Sequence, residues 1–180
     1  MAKRSVLDRY TASQKYIVAR GKSLTMPADP FKVKLSSKEV YGVVVDIPMS
    51  PTVLATMVCY INGAANLYFN LGGEFLNAAS RYRGVAQAAF DFVKNASSLL
   101  DCCKKTTQFD MPTAGKNFVY FLTKSGVYKT EITPNAIPAD DENRRKINFF
   151  TQRVMGELRT AQLKDKAAGI GTGSVVLESN

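Results

Sequence analysis

The chain has 180 residues, 46% of them apolar and 22% charged, with a formal charge of +9. That is the make-up of one folded domain with arms, long enough to bury a core. It contains no histidine, which excludes Ser-His-Asp and Cys-His nucleophile pairs, histidine acid–base work and histidine metal ligation.

Residues 1–34 hold eight basic and two acidic residues, so +6 of the net charge lies there. Within 3–20, Leu7, Tyr10, Gln14 and Ile17 recur at helical spacing. A short N-terminal helix or a frayed arm is expected, stopped by Gly21. Lys3, Arg4, Arg9, Lys15 and Arg20, with Tyr10 and Tyr16 among them, are the candidate nucleic-acid contacts. The alternative is a solvated arm whose charge serves solubility. The stretch also has the basic, hydroxyl-rich make-up of a mitochondrial presequence, with Asp8 counting against it. No apolar region of the secretory kind follows it, and no run reaches the ~20 apolar residues of a membrane span. Residues 26–30, MPADP, read as a linker, because proline fixes φ and restricts the residue before it.

Residues 39–49 predict the first strand, with Tyr41, Val43, Val45 and Ile47 on one face and Val40, Val44 and Asp46 on the other. Residues 53–61 and 64–71 predict a hairpin around Asn62-Gly63, a strong turn signal. Gly72-Gly73 ends the third strand. From Glu74 to about residue 101, Phe75, Ala79, Tyr82, Ala86, Ala89, Val93, Ala96 and Leu100 fall in helical steps. They predict one long amphipathic helix across the sheet, with Glu74 and Lys104-Lys105 suiting its dipole. Residues 106–115 read as a loop. Residues 117–123 and 127–133 predict a second hairpin around Lys124-Ser125-Gly126. Asp140, Asp141 and Glu142 predict the cap and first turn of a last helix with the stripe Ile147, Phe150, Val154, Leu158 and Ala161. Its run Arg144-Arg145-Lys146 reads as a solvated face. Residues 169–180 show no period and predict a flexible tail.

These elements predict an α+β domain over 35–168. Its five-stranded antiparallel sheet, in β-β-β-α-β-β-α order, is packed by two amphipathic helices. In element order the chain resembles small regulatory and scaffold folds of the profilin, roadblock and longin type. It is also similar in order to the dimeric chaperones of type III secretion, which are typically acidic where this chain is basic. The likeness carries no functional residue. Several strands are apolar on both faces. Val40, Val44, Leu54, Val58, Tyr60, Tyr68, Val119 and Phe121 fall on the expected outer rows. So large an apolar patch is not left bare. The N-terminal segment, the last helix or another chain must cover it, and Tyr60, Tyr68 and Phe121 are the candidate interface residues.

Little chemistry is visible. Gly72 and Gly73 before a helix, with Arg81 and Arg83 nearby, form a candidate anion site; the alternative is a tight turn needing positive φ. Neither the dinucleotide nor the P-loop glycine pattern is present, and no cofactor or metal is expected. The three cysteines, Cys59, Cys102 and Cys103, are an odd number and close no disulfide framework, which favours a reducing, cytoplasmic setting. Cys102-Cys103 lacks redox and zinc spacing. Lys104 and Lys105 can lower a thiol pKa there, against the alternative of a helix-end pair without chemistry. Asp46, in an apolar strand, is the carboxylate to check for a perturbed environment. These features predict a non-enzymatic interaction or scaffold module, acting as a homodimer or assembly subunit. The alternatives are a nucleic-acid-associated protein using the basic arm, and a small-anion-binding protein or enzyme at the glycine turn.

Overall fold

A computed structural model describes residues 10–113 and 115–170. Helix α1 spans Gln14–Leu24, and β1, β2 and β3 span Gly42–Pro48, Leu54–Tyr60 and Ala65–Phe69. The two-residue strand β4, Glu74–Phe75, precedes α2 (Ala78–Arg81) and α3 (Arg83–Ala96). A 3-10 segment, Ser97–Cys102, leads into β5 (Lys104–Thr106). β6 (Asn117–Thr123), β7 (Gly126–Ile132) and α4 (Glu142–Ala167) complete the fold.

The protein is α+β with an antiparallel sheet, but the sheet has seven strands, in the order β4-β3-β2-β1-β6-β7-β5. The two strands missing from the expected five are its edges. β4 pairs through Leu67↔Phe75 and Tyr68↔Glu74, and β5 through three residues opposite Lys129, Tyr128 and Val127. Strands this short show no alternation. Charge on an edge, which discourages pairing with another chain, also hides it from a search for apolar rows.

The single helix expected over 74–101 is three pieces. Glu74 and Phe75 stay extended because they pair with β3, and the helix begins only at Ala78. Tyr82 then leaves helical geometry at φ −128°, ψ 111°, which resets the phase of the apolar stripe. Val85, Ala88, Ala89, Phe92, Val93 and Ala96 of α3 become the buried face. Phe92 meets Phe121 of the sheet edge-on at 6.4 Å. The last helix follows expectation: Asp141 caps it, and Ile147, Val154, Leu158 and Ala161 are buried.

The second face of the sheet is covered by the chain itself. Tyr10, Tyr16, Leu24 and Leu35 are buried against Leu54, Val58, Tyr60, Phe118, Tyr120 and Leu122, joined by Phe109 and Met111 of the loop before β6. The outer row of β6 is therefore the reverse of the expected one. Val119 and Phe121 face α3, and Phe118, Tyr120 and Leu122 face α1. The reason is register: Val119 lies opposite Val45 and Phe121 opposite Val43, and directly opposed residues share a face. Helix α1 is capped by Ser13, whose Oγ accepts from Tyr16 N, and runs through Gly21 to Leu24. A side chain at Gly21 would meet nothing within 4 Å, so the residue lies in open helix rather than at a stop.

Candidate functional site

The expected site residues do not come together. Tyr60 is 7% exposed with its ring 5.1 Å from that of Phe31, Tyr68 is half-buried, and Phe121 is fully buried under α3. Gly72, at φ +103°, and Gly73 form the turn from β3 to β4 instead of a helix N-terminus. Gly72 N donates to Phe69 O at 2.9 Å, and Phe69 N donates to Gly73 O at 2.8 Å. Arg81 is bound to the buried carboxylate of Asp165, which also accepts from the Tyr82 hydroxyl, and Arg83 is an exposed residue at the start of α3. Lys3, Arg4 and Arg9 lie outside the described residues, as do 171–180 of the tail. Lys15 is exposed and paired with Glu74 at 2.8 Å.

Arg20 faces inward. Its Nη2 donates to Asp46 Oδ2 at 2.7 Å and its Nε to both carboxylate oxygens at 3.1 and 3.2 Å. Its Nη1 donates to the carbonyl of Phe109 at 2.9 Å, and Nη2 reaches that of Asp110 at 3.3 Å. Asp46 takes a further hydrogen bond from Thr56 Oγ1 at 2.7 Å, and the Tyr16 hydroxyl lies 2.7 Å from that same oxygen. Burial and the Asp46 charge push the Tyr16 hydroxyl pKa upward, so it stays a neutral hydrogen-bonding group. Asp46 is thus an anchor: it fastens α1 and the loop before β6 to the middle of the sheet.

Unspent charge gathers at the β5 edge. A cavity of about 360 Å3 is lined by Lys104 and Lys105 of β5, Lys129, Thr130 and Glu131 of β7, Arg144 of α4, and Cys102. Four cations and one carboxylate line it from both faces of the edge: Lys104, Lys129 and Glu131 share the α1 face with Phe118 and Tyr120, and Lys105 and Thr130 lie on the α4 face. Lys129 lies 3.6 Å over the Phe118 ring and 3.7 Å from Glu131, while Lys104 and Lys105 make no ion pair among the described residues. Arg144 frames the site. Its Nη1 donates to Asp141 at 2.7 Å, its Nε to the carbonyl of Glu131 and its Nη2 to that of Cys102, both at 3.2 Å.

The thiols at this edge are not equivalent. Cys102 Sγ lies 3.9 Å from Cys103 Sγ, and the two titrate as a pair. The hydrogen bond from the Cys103 thiol, then the Arg144 charge and the Thr130 hydroxyl, pull Cys102 down to about 7, against burial and Asp141. Cys103 is pushed far up by the same hydrogen bond and by burial, so the first proton leaves Cys102. Thr130 is 3% exposed, and its hydroxyl has no hydrogen-bond partner. Cys59 is fully buried in the core, with its thiol pushed up by desolvation.

The sequence names Cys102, Lys104 and Lys105 and places them at a helix end; Cys102 does close the 3-10 segment, but Lys104 and Lys105 belong to β5. It leaves Thr130 in a strand and Arg144 on a solvated face. No spacing in the sequence links positions 102, 130 and 144; only the pairing of β5 with β7 and the docking of α4 do. Among the described residues there is no cluster of three metal-ligating side chains, and no helix is long and apolar enough to cross a membrane. The chain matches no family model, no curated protein and no solved structure.

Proposed function

We propose that this protein is a non-enzymatic binding module that takes a multivalent oxyanion, a phosphate- or carboxylate-bearing group, in the cavity at the β5 edge. One observation carries the reading: two of the cations that line the cavity, Lys104 and Lys105, have no ion-pair partner among the described residues. Three free thiols favour a reducing, cytoplasmic setting. Calorimetric titration with pyrophosphate and with citrate, at low and high salt, tests it and separates phosphate from carboxylate ligands. The Lys104→Gln/Lys105→Gln variant should lose most of the affinity, while Lys32→Gln/Lys34→Gln, on the exposed stretch after α1, should keep it. Equal loss in both variants would reduce the site to general basic charge and overturn the reading.

A second reading, self-association or assembly with a protein partner, is supported by the outer stripe of α4. Phe149 is 61% and Leu163 55% exposed, at heptad spacing with Gly156 between them. Light scattering on the purified protein, with Phe149→Ser as the variant, tests it. A salt-insensitive dimer that becomes monomeric in the variant supports it, and a clean wild-type monomer removes self-association. Nucleic-acid binding by the basic arm is a separate outcome, read as salt-dependent binding lost when residues 1–9 are deleted.

A further inference from the structure

We propose that Cys102 is a site of thiol–disulfide exchange with small disulfides that carry carboxylates, of which oxidised glutathione is the accessible example. The proposal rests on the anion-binding reading of the same cavity and adds a reaction to it.

Placement singles out this thiol. Of the three cysteines, only Cys102 lines the cavity, and Cys59 is sealed in the core. The charge around it comes from every element that meets there. Lys105 of β5 and Arg144 of α4 are positive, as are Lys104 and Lys129 on the other face of the edge; Glu131 of β7, Asp141 at the cap of α4 and Asp101 beside Cys102 are negative. The balance favours a thiolate and draws in a carboxylate-bearing partner. Thr130 supplies the independent observation. It is buried, lines the cavity together with Cys102, and its hydroxyl has no hydrogen-bond partner. A buried hydroxyl left in that state has a donor to give, and a sulfur carrying negative charge is its acceptor.

The chemistry balances without a further oxidant. Cys102 loses its proton to solvent, and the thiolate attacks one sulfur of the incoming disulfide. A bond forms between Cys102 Sγ and that sulfur. The old disulfide bond breaks, and its electron pair leaves with the other sulfur as a thiolate. Cys102 is oxidised and the departing half is reduced. Cys103 keeps its proton at neutral pH and, 3.9 Å from the Cys102 sulfur, is placed to donate to its thiolate instead of acting as the nucleophile.

The test is exchange at pH 7 with oxidised glutathione, with neutral hydroxyethyl disulfide and with cationic cystamine, each rate divided by that of a free model thiol. Intact mass and peptide mapping locate the adduct. The expected result is an adduct on Cys102, none on Cys59, and a normalised rate for glutathione about tenfold above that for cystamine, collapsing at high salt. Lys104→Gln/Lys105→Gln should lower the glutathione rate and leave the neutral disulfide unchanged. Thr130→Val should slow all three reagents and move the alkylation pH profile of Cys102 upward. An adduct on Cys103, or equal normalised rates for the three reagents, overturns the proposal. Pyrophosphate binding to Cys102→Ser, which needs no thiol, then decides the anion-binding reading by itself.

Discussion

Two arginines sit at the centre of the two main polar clusters; each is bound to one carboxylate and two carbonyls, and what differs is the surroundings. Arg20 is 7% exposed, meets one carboxylate, and spends its remaining reach on two carbonyls. The carboxylate in turn is closed off by Thr56. Arg144 is about a third exposed, and the cluster it frames has more cations than acids and a hydroxyl with no hydrogen-bond partner. A buried ion pair is costly unless every group on it is satisfied, and one that is satisfied has nothing left to offer a ligand. The first cluster holds the fold; the second has charge and a donor to spare.

That comparison can be broken most forcefully at Arg20. Arg20→Met leaves Asp46 buried and unpaired, and should cost about 3–5 kcal/mol in equilibrium unfolding. Adding Asp46→Leu should return a large part of the loss. A single-variant cost below about 1 kcal/mol would mean that the α1 side is not the anchor described here. An intermediate case is Arg81–Asp165. The Arg81 guanidinium, and after it the Tyr82 hydroxyl, hold the Asp165 carboxyl below the usual carboxylate range. A carboxyl with a depressed folded pKa adds stability that is complete above its unfolded pKa, about 4, and is lost as pH falls through the folded value. Denaturant midpoints of wild type and Asp165→Asn should therefore differ by a constant amount from pH 5 to 8 and converge below about pH 4.

At the β5 edge the stability effects should be small and the chemical ones clear. Thr130→Val removes an unpaired buried hydroxyl at nearly constant volume, so stability should hold or rise by about 0.5–1 kcal/mol. Alkylation of Cys102 at pH 7 should slow, because a group that favours its thiolate is gone. Lys104→Gln should change stability by less than about 0.5 kcal/mol in thermal melts. The same variant should weaken pyrophosphate binding about fivefold at low salt, a difference that vanishes at high salt. A strongly destabilised Lys104→Gln would place the β5 edge with the structural cluster instead.

The elements that the sequence determined by itself are those whose signal is local. The Asn62-Gly63 turn, with Gly63 at φ +84°, the Lys124–Gly126 turn and the Asp141-capped helix follow from turn chemistry, capping and period. So does the presence of apolar residues on both faces of the sheet, which demanded a cover without naming it. Asp46 stood out because a lone carboxylate in an apolar strand is costly, yet its partner Arg20 reads, in sequence, as one more charge of a basic arm. What tertiary structure alone decided is everything that depends on pairing between distant segments. The face of Phe121 was set by its register opposite Val43, since a period of two is the same whichever side is inward. The cavity was assembled from positions 102, 104, 130 and 144 only when β5 added to β7 and α4 docked beside them. Local propensity acts over a few residues, whereas the free energy that brings these groups together belongs to the burial of the whole core.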